Sequence, residues 1–444
     1  MPDPGTFVDP NLTRQDLLVL RSLLRDADSQ GQTSTARNDD HGSEACLTSE
    51  KSSAETYQND ALPEDKTLIE TLESINDPSH EDFEPTVFVT WDLNTLKLPR
   101  LLNTCLLQPY LNLARKVVRV ETDVVMLTHL LLYFATSVPS AIWLYFHFTW
   151  AHGIAHWLMQ SYYVGTYTLM MHQHIHMGGI LSRKLWLFDS LFPYITNPLM
   201  GHTWNSYYYH HVKHHHVEGN GPEDLSSTIR YQRDSILDFA CYVGRFMLFV
   251  WAELPAYFWR KGKMRMAAKA GGWEIANYVA IYALARCHWH ATLFAFVLPL
   301  VQLRVGLMVG NWGQHAFVDE IDPNSDFRSS ITLIDVASNR FCYNDGYHTS
   351  HHLNPRRHWR EHPVSFLRQK HRYASEHALV FRNIDYIMLT VKLMMKDYEH
   401  LAKCLVPMGE EQVRMSLGER AEMLRRKTRA FSEQEIRIKF GKGN

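Results

Sequence analysis

Charge is missing from the middle of this chain. From Val124 to Ser182 there is no Asp, Glu, Lys or Arg, a run long enough for two membrane spans of about 20 apolar residues each, joined by a tight turn. Cysteine is scarce as well: Cys46, Cys105, Cys241, Cys287, Cys342 and Cys404 are scattered without a Cys-x-x-Cys pair. That argues against a disulfide framework and against a thiolate zinc site, and makes a reduced, cytosol-facing site the simpler inference. A formal net charge of -2 favours neither nucleic acid nor any other strongly charged partner. The residues from Met1 to Thr13 lack the charged start, apolar core and small-residue cleavage site of a signal peptide, so insertion is expected to depend on internal spans. No internal repeat is visible at a period of roughly 20 to 50 residues.

Residues 1–85 are polar, with acidic and Ser/Thr-rich runs, and are expected to form a mostly disordered tail because they cannot bury enough apolar surface to offset ordering entropy. The exception is Leu17 to Leu24, whose Leu/Val spacing suits a short amphipathic helix. Residues 86–120 mix Leu with Arg100, Arg115, Lys116 and Arg119, as expected of an amphipathic segment on the membrane surface. Basic residues beside a span favour the cytosolic side.

Spans are expected at Val124 to Phe146 and Ile154 to Met171. The apolar run from Leu237 to Trp259 is interrupted by Asp238, Arg245 and Glu253, each costly at the bilayer centre, so it reads as a helix that dips into the interface without crossing. A second hairpin follows, from Ile275 to Cys287 and Ala291 to Val309, turning at His288, Trp289 and His290. The expected fold class is all-α: a multi-span membrane bundle of about four helices with a cytosolic helical cap. Residues 364–444 are expected to be a cytosolic helical extension, with helical periodicity from Pro363 to Leu405 and from Ser416 to Thr428.

What the chain has in quantity is histidine, 26 in all, and four clusters each lie at the end of an apolar stretch. These are His172, His174 and His176; His210, His211, His214, His215 and His216; Asn311 with His315; and His348, His351 and His352. Neutral imidazole is the commonest metal ligand, and helical residues three or four apart share a face. His172 and His176 therefore face together while His174 points elsewhere. In the second cluster His211, His215 and His216 give HxxxHH, the preferred reading, while His211, His214 and His215 give HxxHH. His348, His351 and His352 form HxxHH without ambiguity, and Asn311 can hold a metal-bound water. Isolated histidines such as His80, His129, His147, His152, His156, His288, His290, His362, His371, His377 and His400 are read as surface or core residues, and His202 and His358 as supporting ones. Crowding so many imidazoles without a metal would be unfavourable. About nine candidate histidines exceed the demand of one ion, so two ions are indicated; imidazole alone does not choose between zinc, copper and iron.

These motifs resemble the membrane fatty acid desaturase superfamily, which carries three histidine boxes with an Asn and a His between the second and third. The boxes here are His172 to His176, His211 to His216 and His348 to His352, the intervening pair is Asn311 and His315, and the resemblance spans residues 121–363. It implies a membrane domain with two irons held by His172, His176, His211, His215, His216, His315, His348, His351 and His352, with Asn311 reaching one iron through water. It further implies O2 as co-substrate, electrons from cytochrome b5 or ferredoxin, a lipid acyl-chain substrate, and residence in the endoplasmic reticulum with the active site and both termini cytosolic. There is no His-Pro-Gly-Gly haem signature, so the electron donor is expected to be a separate protein. Trp143, Tyr162, Tyr163, Tyr167 and Trp312 are candidate liners of an acyl channel. Asp189, Asp224 and Asp345 are candidate partners of the ligands' outer nitrogens.

A desaturase is the leading expectation, with a hydroxylase, ketolase or acetylenase of the same superfamily next. From other classes, a membrane zinc hydrolase or a metal transporter competes, but a transporter would place ligands near mid-membrane rather than at span ends.

Overall fold

The computed structural model describes residues 8–37 and 63–440. The amphipathic spacing from Leu17 to Leu24 belongs to a longer helix, α1 (Arg14–Arg37), and α2 (Pro63–Asn76) packs on it. Leu18, Val19 and Leu23 of α1 and Ile69, Leu72 and Ile75 of α2 are buried in one cluster with Tyr347, Phe366 and Val380. The expectation of a mostly disordered tail is corrected for these two helices. Most helical stability comes from tertiary packing of an apolar face, and here the covering surface is the C-terminal third of the chain, which local composition does not reveal. Residues 1–7 and 38–62, which the same expectation covers, lie outside the described residues.

The Leu/Arg mixture that follows forms a helical turn (Arg100–Leu102), a π turn (Asn103–Leu107) and α3 (Gln108–Val117). Leu101, Leu106 and Leu113 are exposed while Leu107, Leu111 and Ala114 are buried, an amphipathic division.

The uncharged middle builds α4 (Val124–Phe146) and α5 (Trp150–Met177). Thr149 caps α5 by accepting from the His152 amide. The two helices run antiparallel, as Ser137 Oγ donating to Gln160 Oε1 at 3.0 Å requires. Then come α6 (Trp186–Leu199), α7 (Ile236–Arg260), α8 (Met264–Thr292) and α9 (Leu298–Gln314).

Helix α8 breaks at His288, whose φ of -155° and ψ of 91° are non-helical. The break is a chain reversal: Arg304 of α9 forms an ion pair with Glu274 of α8, two residues that a straight helix would hold about 45 Å apart. The expected hairpin is present, turning at His288.

Among the described residues, two helical stretches suffice by length and hydropathy to cross a membrane, Val124–Phe146 and Met264–Gln314. The latter contains this reversal. Helix α5 is long enough but less apolar, carrying His152, His156 and Gln160.

The described residues are mostly helical, as expected, with a small sheet added. β1 (Ile331–Ile334) pairs parallel with β2 (Leu379–Arg382), which pairs antiparallel with β3 (Leu405–Val406). Strands this short and buried on both faces show no alternation in sequence. They also interrupt the helix expected from Pro363 to Leu405, which is divided into short helices, β2 and later α11 (below).

The sheet braces α10 (His348–Leu353). Leu333 N donates to Gly346 O at 2.7 Å, and a side chain at Gly346 would collide with Leu333 O and Asn339. One further helix matters below, α11 (Tyr386–Met394), which packs on α9.

Candidate metal centre

Each histidine cluster arrives on its own element. His172 and His176 occupy the last turns of α5, which stops at Gly178; its left-handed φ of 67° is one that glycine adopts without cost. His174 turns away, its Nε2 3.0 Å from the Asp189 carbonyl.

The second cluster lies on a π-helix, Tyr208–His215. Its i→i+5 ladder brings residues five apart onto one face, and the Nε2 atoms of His211 and His216 stand 3.1 Å apart. His214 is directed elsewhere: its Nε2 accepts from Leu225 N at 2.9 Å and its ring meets Tyr257 edge-on. His216 is therefore in the site and His214 is not.

His315 follows the last turn of α9, and α10 carries His348, His351 and His352. Their ligand atoms gather in two groups. His172, His176, His211, His216 and His351 form one, and His215, His315 and His352 the other; within each group these atoms lie within 4.8 Å of one another. His348 joins the second, with its Nε2 3.3 Å from that of His315. His351 Nε2 lies 3.0 Å from that of His172 and 2.8 Å from that of His216.

Outer nitrogens are held from behind, as is usual for imidazole ligands. His215 Nδ1 donates to Asp224 at 2.7 Å, His315 Nδ1 to the Ser329 carbonyl at 3.1 Å, and His352 Nδ1 lies 3.3 Å from Asp326. Asp326 and Ser329 were not anticipated. They lie on a short helix, Asp326–Ser329, that directly precedes β1.

Of the anticipated carboxylates, Asp224 serves a histidine of the site. Asp189 instead accepts from the Ile180 and Leu181 amides, and Asp345 accepts from Gln314. Asn311 lines the same cavity as His172, His211, His215, His348 and His351. Its amide nitrogen donates to Ser226 O and Tyr242 Oη at 2.8 Å each, which leaves Oδ1 free to face a water.

Burial pushes His172, His211, His216, His315, His348 and His351 well below the usual imidazole range, and neighbouring imidazoles push the same way. His176 is lowered to about 4 by the same causes. Burial opposes the charge on Asp224, but His215, by charge and hydrogen bond, and then His214 outweigh it and hold the carboxyl well below the ordinary carboxylate range.

Neutral rings are what a cation binds. Buried His176 Nε2 and His352 Nε2 have no hydrogen-bond partner, and nitrogens meeting at about 3 Å cannot all carry protons. Converging lone pairs with unmet valence suit metal cations, and two groups suit two.

The family model for fatty acid desaturases matches residues 148–381, more than half of the chain. The chain belongs to the fatty acid desaturase family. Membership makes it an oxidoreductase of lipid metabolism, with a lipid as substrate and a membrane as its setting. No curated protein and no solved structure gave a significant match.

A cavity of about 790 Å³ leads away from the histidines, in the size range of small-molecule sites. His172, His211, His215, His348 and His351 line it together with Leu132, Leu169, Leu307 and Met308. Tyr162 and Tyr163 are liners as expected. Trp143, Tyr167 and Trp312 are not: Trp143 is exposed, Tyr167 bonds Thr196 and Asn197, and Trp312 is buried, donating to Arg233 O.

Proposed function

We propose that this desaturase-family member introduces a double bond into a lipid acyl chain, with O2 as oxidant, two irons in the histidine site, and electrons from a separate donor such as cytochrome b5 or a ferredoxin. The observation that carries the reading is the convergence of nine histidines, five of which (His172, His211, His215, His348 and His351) line a mainly apolar cavity. The first iron would be held by His172, His176, His211, His216 and His351, and the second by His215, His315, His348 and His352, with Asn311 Oδ1 acting through water. Bound iron would supply the oxidising power that removal of hydrogen from a methylene needs.

The chain's own residues do the rest. The cavity wall holds the acyl chain extended beside the histidines and excludes water, while Asp224, Asp326 and the Ser329 carbonyl keep the rings oriented. Four crossings, made by α4, α5 and the two arms of the α8–α9 hairpin, would leave all the histidines on the cytosolic face. The endoplasmic reticulum is the membrane this reading assigns.

The test is expression in a host of defined lipid composition, with products identified by gas chromatography and mass spectrometry. A new alkene is expected. A hydroxylated product without an alkene would instead make the chain a hydroxylase, and one zinc per purified chain with oxygen-independent activity would make it a hydrolase.

A further inference from the structure

The cavity reaches the outside of the molecule, and the residues it reaches decide what can enter. Two of its liners are large, apolar and exposed: Tyr162, 72 % exposed on α5, and Ile387, 63 % exposed on α11. Tyr162 lies ten residues before His172, so about 15 Å back along the helix and midway through the proposed second span. It faces outward at a depth where the surroundings would be hydrocarbon.

Ile387 begins a row with Val391 and Met395, four residues apart on one face of α11 and just beyond it, all exposed. That face flanks the C-terminal end of α9, where Gly313 touches Tyr386 and Thr390. A row of exposed aliphatic side chains beside the end of a span suits a membrane interface. Gly306 and Gly310 of α9 also line the cavity, and a side-chain carbon built on either meets nothing within 4 Å.

Among the described residues lining the cavity there is no Lys or Arg, and Asp345 is the one Asp or Glu. A thioester on coenzyme A or on a phosphopantetheine arm brings phosphate with it, and phosphate is met by Arg or Lys donors. Beyond the histidines, this cavity presents one acid and otherwise uncharged, mainly apolar walls.

We infer that the substrate is an acyl chain still attached to a membrane lipid, which enters sideways from the bilayer through a portal bounded by Tyr162 and Ile387, and not a soluble acyl thioester. The inference rests on the desaturase reading for its chemistry and on the proposed spans for the position of Tyr162. It assigns Gly306 to the wall against which the chain slides.

Photolabelling tests it without turnover or iron. The full chain is reconstituted in phosphatidylcholine vesicles in which one acyl chain carries a diazirine, and the labelled residues are mapped by mass spectrometry; a parallel sample receives a diazirine-bearing acyl coenzyme A. The phospholipid probe is expected to label Tyr162, Gly165 and Ile387. Gly306→Leu, for which the backbone has room, and Ile387→Trp should each lower that labelling by about tenfold, within what overpacking a filled site costs. Trp143→Leu, at an exposed residue of α4 that does not line the cavity, should leave it unchanged. Labelling of the same residues by the coenzyme A probe, or phospholipid labelling indifferent to Gly306→Leu and Ile387→Trp, would overturn the portal. A chain that labels as expected yet makes no alkene would sink the desaturase reading and leave the portal standing.

Discussion

At the scale of single residues, the site is an arrangement of imidazole nitrogens that repel protons and one another until something positive is placed among them. His351 stands between His172 and His216, and His315 against His348, so each is central to one group. His351→Ala and His315→Ala are each expected to abolish turnover while the protein still inserts, with metal per chain falling on analysis of purified protein. Unchanged activity in both variants would remove the ligand assignment.

Asp224 acts at one remove, through His215. Asp224→Asn keeps the shape but loses the charge that favours the His215 Nδ1 proton, and is expected to weaken metal retention by about 10–100-fold, measured by competition with a chelator. Spacing in the sequence marked these histidines. It left His214 and His216 as alternatives, because an α-helical projection puts positions 211 and 215 together and says little about 216; the π-helix, a backbone choice, brings 216 to 211.

At the scale of elements, helices are held to the site by buried polar pairs. Asp16 of α1 accepts from the Tyr347 hydroxyl at 2.9 Å, directly before the third box. Burial raises its carboxyl to about 7 from 3.8, with the hydrogen bonds of Tyr347 and Asn339 opposing. The sign follows: the folded state binds the proton more tightly than the unfolded one, so this contribution to stability is complete below about pH 4 and is lost as pH rises through about 7. Hydrogen exchange of Leu17 to Leu24 is therefore expected to quicken, beyond its intrinsic pH dependence, between about pH 4 and 7. Asp16→Asn should flatten that dependence.

The α8–α9 hairpin is closed by Glu274 and Arg304, both buried. Removing one partner leaves a buried charge uncompensated, at about 3–5 kcal/mol. Glu274→Leu should lower thermal stability more than the double variant Glu274→Leu with Arg304→Leu. A single variant no worse than the double would show the pair to be dispensable.

At the scale of the whole molecule, the histidines come from four elements far apart in the chain, and the fold that joins them also encloses a cavity. If the metals tie those elements together, chelation should destabilise the whole domain rather than one helix, because binding to the folded state alone stabilises it by mass action. A fall in melting temperature on iron removal, reversed by adding iron, is the expected outcome. An unchanged melting temperature would mean that the protein scaffold holds the site unaided.

The sequence by itself determined the apolar stretches, the hairpin turning at His288 and the histidines to watch, because helical burial and metal ligation both impose short, regular spacings that survive in a linear text. Only the tertiary structure decided the docking of α1 and α2, the small sheet behind the third box, the partners Asp326 and Ser329, and which aromatics line the cavity. Each of those depends on what lies opposite a residue in space. Trp143 and Tyr162 are equally aromatic and both lie in uncharged helices, yet only Tyr162 borders the cavity, because the helices packed around it leave space there.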